Sequence, residues 1–194
     1  VLGSRGHGPV ERLVMGSASE GVVHHADRPV LVVRGGEDAW PPARIVIGDD
    51  GSDAARNAAR LAVRITKHHG TKALLLRAYP KLPEIDPEGR ASNARLVDDE
   101  LRREERKLAE RALDLEESLG TRPGIRIDVG NPAACLLKAA GEDDARGTLI
   151  AVGSRGLGTL RRMRLGSVST KVLRAAEGPV LIHPQPSEPG GSRV

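Results

Sequence analysis

The chain has 194 residues, 39% apolar and 29% charged, with a formal net charge of +4. That composition supports one hydrophobic core of ordinary domain size and not a second full one. A single cysteine, Cys135, excludes an internal disulfide and a cysteine-based metal site, and with Trp40 and Tyr79 as the entire aromatic complement, stacking on bases or sugars is disfavoured.

The pattern starts at residues 1–34, where Gly3 and Gly6 precede Gly16-Ser17, a helical stretch and the apolar run "PVLVV". The Gly- and Pro-rich stretch over 35–42 reads as a flexible linker. "RIVIGD" over 44–49 predicts a buried strand, 53–69 a helix with Ala55, Ala58, Ala59, Ala62 and Ile65 inward, and 72–78 a second strand. "YPKLPEIDPEGRAS" is too rich in proline to be regular. A long helix follows, with Val97, Leu101, Leu108, Ala112, Leu115 and Leu119 at helical spacing and interleaved acids and bases forming a solvated face. Then come a strand over 124–130, a helix opened by Asn131 and Pro132, the strand "TLIAV", a second glycine-rich segment with its helix, and the strand "PVL". Residues 185–194 read as a flexible tail.

Alternating strands and helices predict an α/β fold: an open, mostly parallel five-stranded sheet with helices on both faces, Rossmann-like in kind. Ligands on such sheets bind beyond the carboxyl ends of the strands, where Asp50, Ala78 and Gly153 fall.

Residues 1–34 and 151–184 are one segment written twice without a gap, identical at 14 of 34 positions. Both copies hold glycine, two residues, glycine, nine residues, Gly-Ser; in the second copy these are Gly153, Gly156, Gly166 and Ser167. Glycines at the turn let the backbone take positive φ and approach an anion closely, and the helix opened by Gly166, Ser167 and Ser169 offers unpaired amides, hydroxyl donors and the positive end of its dipole. A bare βα turn with Ser167 as a cap would explain one copy. Two copies in one frame favour phosphate binding.

These residues resemble the ATP-binding branch of the universal stress protein family, and "ARIVIGDDGS" at 43–52 resembles its first strand and acidic turn. The resemblance implies one complete domain over 43–184 and, in 1–34, the C-terminal remnant of a first. The chain is then expected to be a truncated form of a two-domain protein, with a natural short form as the alternative. It further implies that Asp50 contacts the adenosine part of ATP, that Ala78 lies near the adenine, and that Gly153, Arg155, Gly156, Gly166, Ser167, Val168 and Ser169 form the phosphate and ribose site. Family domains associate through their last strands in antiparallel fashion, so residues 29–33 and 180–183 are candidates to pair within the chain, or the last strand to make a homo-oligomer.

Other features fit a binding role better than catalysis. Asp49 and Asp50 are both candidates to approach a Mg²⁺ carried by the nucleotide, although turn chemistry explains one of them equally well. Arg161, Arg162 and Arg164 either supplement the phosphate site or form a solvated loop. His24, His25, His68 and His69 sit at helix ends, where imidazole caps carbonyls, so no metal site is expected. No Walker lysine follows the glycines and no catalytic residues stand out. The expected function is nucleotide-dependent stress response, with a slow ATPase, or a scaffold that no longer binds nucleotide, as the alternatives. Interleaved charges predict no nucleic-acid partner, the lack of a long apolar run predicts no membrane partner, and a lone buried thiol suits a reducing cytoplasm.

Overall fold

A computed structural model describes residues 2–3, 17–34, 39–79, 90–156 and 165–185, and their side chains outside 2–3, 17–19 and 90–97. In chain order the elements are β1 (Leu2–Gly3), α1 (Ser17–His25), β2 (Val30–Val33), β3 (Arg44–Gly48), α2 (Asp53–Thr66), β4 (Lys72–Tyr79), α3 (Arg90–Leu119), β5 (Gly124–Val129), α4 (Pro132–Gly141), β6 (Thr148–Gly153), α5 (Ser167–Ala175) and β7 (Val180–His183).

The predicted five parallel strands are present as β3 to β7, in the spatial order β7-β6-β3-β4-β5. The sheet does not stop there. β2 pairs antiparallel with β7, and β1 pairs parallel with β2, giving seven strands in one sheet. The physical reason is the edge: without β2, one side of β7 would present unpaired backbone groups. Leu31 faces Leu181, flanked by the pairs Val30–Ile182 and Val32–Val180, so the matching strands of the two copies meet about a local two-fold axis.

Side chains alternate across the strands and divide the core in two. Val46, Leu76, Ile150, Val152, Val180 and Ile182 point toward α1, α4 and α5, where Val23, Leu136, Ala139, Val172 and Leu173 meet them. Ile45, Ile47, Leu75, Leu149 and Leu181 point the other way, toward Ala59, Ala62 and Val63 of α2 and Leu108 and Leu115 of α3. Alanine on the inward face of α2 lets that helix lie close to the sheet, which explains why four of its predicted inward positions, Ala55, Ala58, Ala59 and Ala62, are buried. Val23, Val30 and Val32 belong to the same buried cluster as Val172 and Val180, so residues 17–33 share their core with the 43–184 segment.

Helix α3 begins at Arg90 and β4 runs to Tyr79, so both ends of the stretch read as irregular are regular, and two further segments differ from the sequence reading. Helix α2 ends at Thr66, not 69, because the Thr66 hydroxyl donates back to the Ala62 carbonyl at 2.8 Å and the chain turns through Gly70 at φ 63°. The end of the linker is packed: Ala39 is 1% exposed, and the Pro42 carbonyl accepts from the Thr71 hydroxyl at 2.9 Å. Residues 35–38 and 186–194 lie outside the described residues.

Gly178, which precedes β7, sits where a Cβ would come within 2.5 Å of the Thr148 carbonyl and 2.9 Å of the Arg146 carbonyl. Gly178→Ala should therefore destabilise the protein by about 1–3 kcal/mol. Gly141→Ala, with nothing within 4 Å of its Cβ, is the control and should leave stability unchanged or raised. Thermal unfolding followed by circular dichroism distinguishes them, and equal melting temperatures would show that the loop before β7 yields freely.

Candidate functional site

Strand β3 is followed by a tight acidic turn. Asp49, Asp50 and Gly51 reverse the chain, with Gly51 at φ 90°, and Ser52 caps α2 by accepting from the Ala55 amide at 3.2 Å. The Asp50 carboxylate accepts from the Ser52 amide at 3.0 Å, an Asx turn that leaves its other oxygen beside Gly156.

The glycines of the second frame serve a different purpose from the one their type first suggests. Gly51, Gly70, Gly120 and Gly130 are the described glycines with positive φ; Gly153 and Gly156 are not among them. Closeness is what demands them. A Cβ on Gly153 would lie 2.8 Å from the Ala54 Cβ and 2.9 Å from the Ala55 amide nitrogen, inside the first turn of α2. A Cβ on Gly156 would collide with the Asp50 carboxylate. The turn after β6 thus presses against both the acidic turn and the start of α2.

Across from them, α5 opens with Gly166 as its N-cap and no side-chain capping bond. Its first amides have no acceptor within the helix and carry the positive end of the dipole. The Ser169 hydroxyl, read from sequence as a phosphate donor, instead bonds the carbonyls of Gly153 at 2.7 Å and Ser154 at 3.1 Å. The Gly166 amide bonds the Ser154 carbonyl at 2.6 Å, and the Ser154 amide the His183 carbonyl at 2.7 Å. These bonds staple the β6 turn to α5 and β7.

Between the acidic turn, the β6 turn and α5 lies a cavity of about 270 Å³. All nine residues singled out from sequence line it: Asp50 and Ala78 on one side, Gly153, Arg155 and Gly156 on the second, and Gly166, Ser167, Val168 and Ser169 on the third. Leu76, Pro132, Leu136 and Val152 complete an apolar floor that sequence reasoning had not assigned. The volume is close to the lower end of small-ligand sites, about 300 Å³. It lies where β3 and β6 diverge in chain direction of travel, the switch point of a doubly wound sheet. Asp49 also reaches the lining. Chemically, an apolar floor, the Asp50 carboxylate and an uncapped helix start suit a heterocycle joined to an anionic tail. Arg161, Arg162 and Arg164 lie outside the described residues.

Asp49 does not share this role. It is 5% exposed, and its carboxylate is ion-paired to Arg77 of β4 and Arg111 of α3, while Arg77 also pairs with Glu104 of α3. The sequence reading, which gave the charges of α3 to solvent and offered Asp49 to a metal, missed this network. Two signals pointed to it. Arg77 interrupts a buried strand and so needs a buried partner; Glu104 and Arg111 share the helical stripe of Leu108, Ala112 and Leu115. Lys107, hydrogen-bonded to Glu104 at 2.7 Å, holds the Glu104 carboxyl below its usual value of 4.5; partial burial opposes that and Arg77 adds to it. Burial pushes the Cys135 thiol up, which keeps it protonated near neutral pH and argues against redox chemistry.

The profile of the universal stress protein family matches residues 1–34 and 42–184. A universal stress protein of Mycolicibacterium smegmatis is 31% identical over 191 residues, covering 94% of this chain and 60% of that protein. The chain thus spans about 60% of the length of the first curated relatives it matches. Among solved structures, UspA from Lactobacillus plantarum superposes with a TM-score of 0.62 at 22% identity, covering 73% of this chain and 97% of that one. A universal stress protein in complex with cAMP gives 0.52 at 28% identity, covering 73% and 96%.

Asp49→Asn should cost about 2–4 kcal/mol, since it leaves the buried Arg77 and the partly buried Arg111 guanidinium groups short of a counter-charge. Urea unfolding at pH 7 measures it, and a loss under about 1 kcal/mol would show the pairs to be solvated. A second expectation concerns pH. A lowered folded pKa means that Glu104 stabilises the protein fully above 4.5 and ceases to as pH falls through its folded value. Glu104→Gln should be less stable than wild type at pH 7, and the gap should close in acid; a gap constant with pH would contradict the assignment.

Proposed function

Since the chain belongs to the universal stress protein family, we propose that it is a nucleotide-dependent regulatory module that holds ATP in the cavity between the acidic turn and α5. The observation that carries this reading is convergence. Residues separated by about a hundred positions, named from the acidic turn, the glycine frame and the family resemblance they carry, line one cavity whose floor is apolar and whose rim ends on an uncapped helix start. The adenine would rest on Leu76, Ala78, Leu136 and Pro132. Asp50 would hold the ribose hydroxyls, as a carboxylate accepts well from vicinal O–H donors.

The phosphates would lie along Gly156, Ser167 and the first amides of α5, with Arg155 at the rim supplying positive charge. Any Mg²⁺ would arrive with the nucleotide, and Asp50 is the carboxylate at hand, because Asp49 is engaged by two arginines. The fit is chemical: donors and a positive dipole meet the anionic tail, and apolar carbon meets the base. The related universal stress protein solved with cAMP supports an adenine nucleotide as the ligand class.

The same reading makes 43–184 a nucleotide-binding domain and 1–34 a segment of a second domain of the same kind, acting in the cytoplasm through a conformational or oligomeric signal. With β2 paired along the β7 edge, association through the last strands occurs inside the chain. Catalysis is not part of the proposal.

Gly166→Glu tests it. A carboxylate at the N-cap of α5 would occupy the anion position and oppose phosphate charge, while the helix after it is unchanged. Calorimetry should show ATP binding to wild type and no measurable binding to a variant whose circular dichroism matches wild type. Wild-type affinity in the folded variant would sink the site assignment.

A further inference from the structure

The turn that carries Asp50 is gripped from behind. Arg111 of α3 donates one guanidinium N–H to the Asp49 carboxylate and another to the Gly51 carbonyl at 2.7 Å. Arg77 of β4 donates to the second Asp49 carboxylate oxygen and, through Nε, to the Asp49 carbonyl at 3.3 Å. The two forks therefore hold the backbone at residues 49 and 51, on both sides of Asp50, without touching Asp50. Asp49 and Arg77 are 5% and 8% exposed, so the bonds between them form away from water, where they are strong and directional, and Arg111 reaches them from a partly buried position. A planar fork fixes geometry as well as charge.

None of the described residues of α3 lines the cavity. We propose that Arg111, braced by Arg77, is a positioning residue for Asp50: by bridging the Asp49 carboxylate and the Gly51 carbonyl it sets the direction in which the turn presents Asp50 to a nucleoside, and so makes α3 part of the recognition apparatus. The nucleoside half of this inference rests on the adenine-nucleotide reading of the cavity; the hold on the turn does not.

The two halves of the site answer differently to losing the grip. Asp50 faces the nucleoside end. The phosphate end is built on Gly156 and α5, which the β6 staple holds through Ser154 and Ser169 independently of Arg111. A purely structural ion pair would change the melting temperature and no selectivity. A positioning residue changes which ligands lose affinity.

The experiment uses the full chain with Arg111→Gln and Arg111→Lys, each below its unfolding temperature. Hydrogen exchange reads the amides of Gly51 and Ser52, which bond the Asp49 and Asp50 carboxylates at 3.2 and 3.0 Å. Calorimetry reads adenosine, ATP and inorganic tripolyphosphate. In Arg111→Gln, exchange at Gly51 and Ser52 should rise while Val46 and Ile47 are unchanged. Adenosine and ATP should weaken about tenfold, the scale of one well-placed hydrogen bond, with tripolyphosphate unaffected. Arg111→Lys, which keeps the charge and loses the fork, should recover stability and still bind adenosine weakly; it also decides the matter if Arg111→Gln does not fold.

Unchanged exchange at Gly51 and Ser52 overturns the proposal. So does unchanged adenosine affinity, or a loss that tripolyphosphate shares equally. If the wild-type protein binds neither adenosine nor ATP, the nucleotide reading and the nucleoside half fall together, while the exchange result still decides whether Arg111 holds the turn.

Discussion

The end of β6 must come within touching distance of the first turn of α2, and the geometry of the site follows from that approach. With no side chain on Gly153, the strand end lies against Ala54 and the Ala55 amide, closer than any Cβ would permit. That contact draws the β6 turn over the acidic turn, sets Gly156 against the Asp50 carboxylate and leaves α5 to start across the gap. The cavity is what remains between three turns pressed this closely. Small residues at the points of contact are a packing requirement first, and their proximity to a ligand is its consequence.

A second constraint acts at the sheet edge. A parallel sheet ending at β7 exposes unpaired backbone groups, and the nearest complementary edge in the chain is a strand of nearly the same sequence. Because β2 and β7 are counterparts, their antiparallel pairing is two-fold symmetric about Leu31 and Leu181, as between like subunits. An internal repeat thereby becomes an internal interface. It is reinforced off the sheet, where Arg174 of α5 pairs with Glu20 of α1 at 2.5 Å and Arg34 donates to the Ala176 carbonyl at 3.0 Å.

Charge supplies the third. Ions buried away from water are costly unless paired and hydrogen-bonded, so the group of Asp49, Arg77, Glu104 and Arg111 holds together as a unit or not at all. Such a unit adds directionality that apolar packing lacks, because each guanidinium fork accepts few arrangements of its partners. It joins the end of β3, the C-terminal part of β4 and the face of α3 at the back of the site. The apolar stripe of Leu108 and Leu115 places α3 on the sheet; the arginines fix where along that stripe the helix rests.

Hydrophobic period and turn chemistry are local properties, and the sequence alone determined what depends on them. It determined the order of strands and helices, the five parallel strands from β3 to β7 and the helix start at Asn131, while nine of the residues that line the cavity were named through the family resemblance that the acidic turn and the glycine frame carry. Family membership was legible in the same two motifs. What the local pattern does not contain is which distant groups become neighbours. Only the tertiary structure decided that Gly153 and Gly156 are required by closeness to α2 and Asp50, that the Ser169 hydroxyl staples carbonyls, and that the last residues before β3 pack instead of hanging loose. The charges of α3 show the reason most plainly. An amphipathic pattern tells which side of a helix is apolar, but a mixed-charge residue beside that stripe goes to solvent or inward according to what stands opposite, and for Arg111 that is Asp49, 62 positions away in the chain.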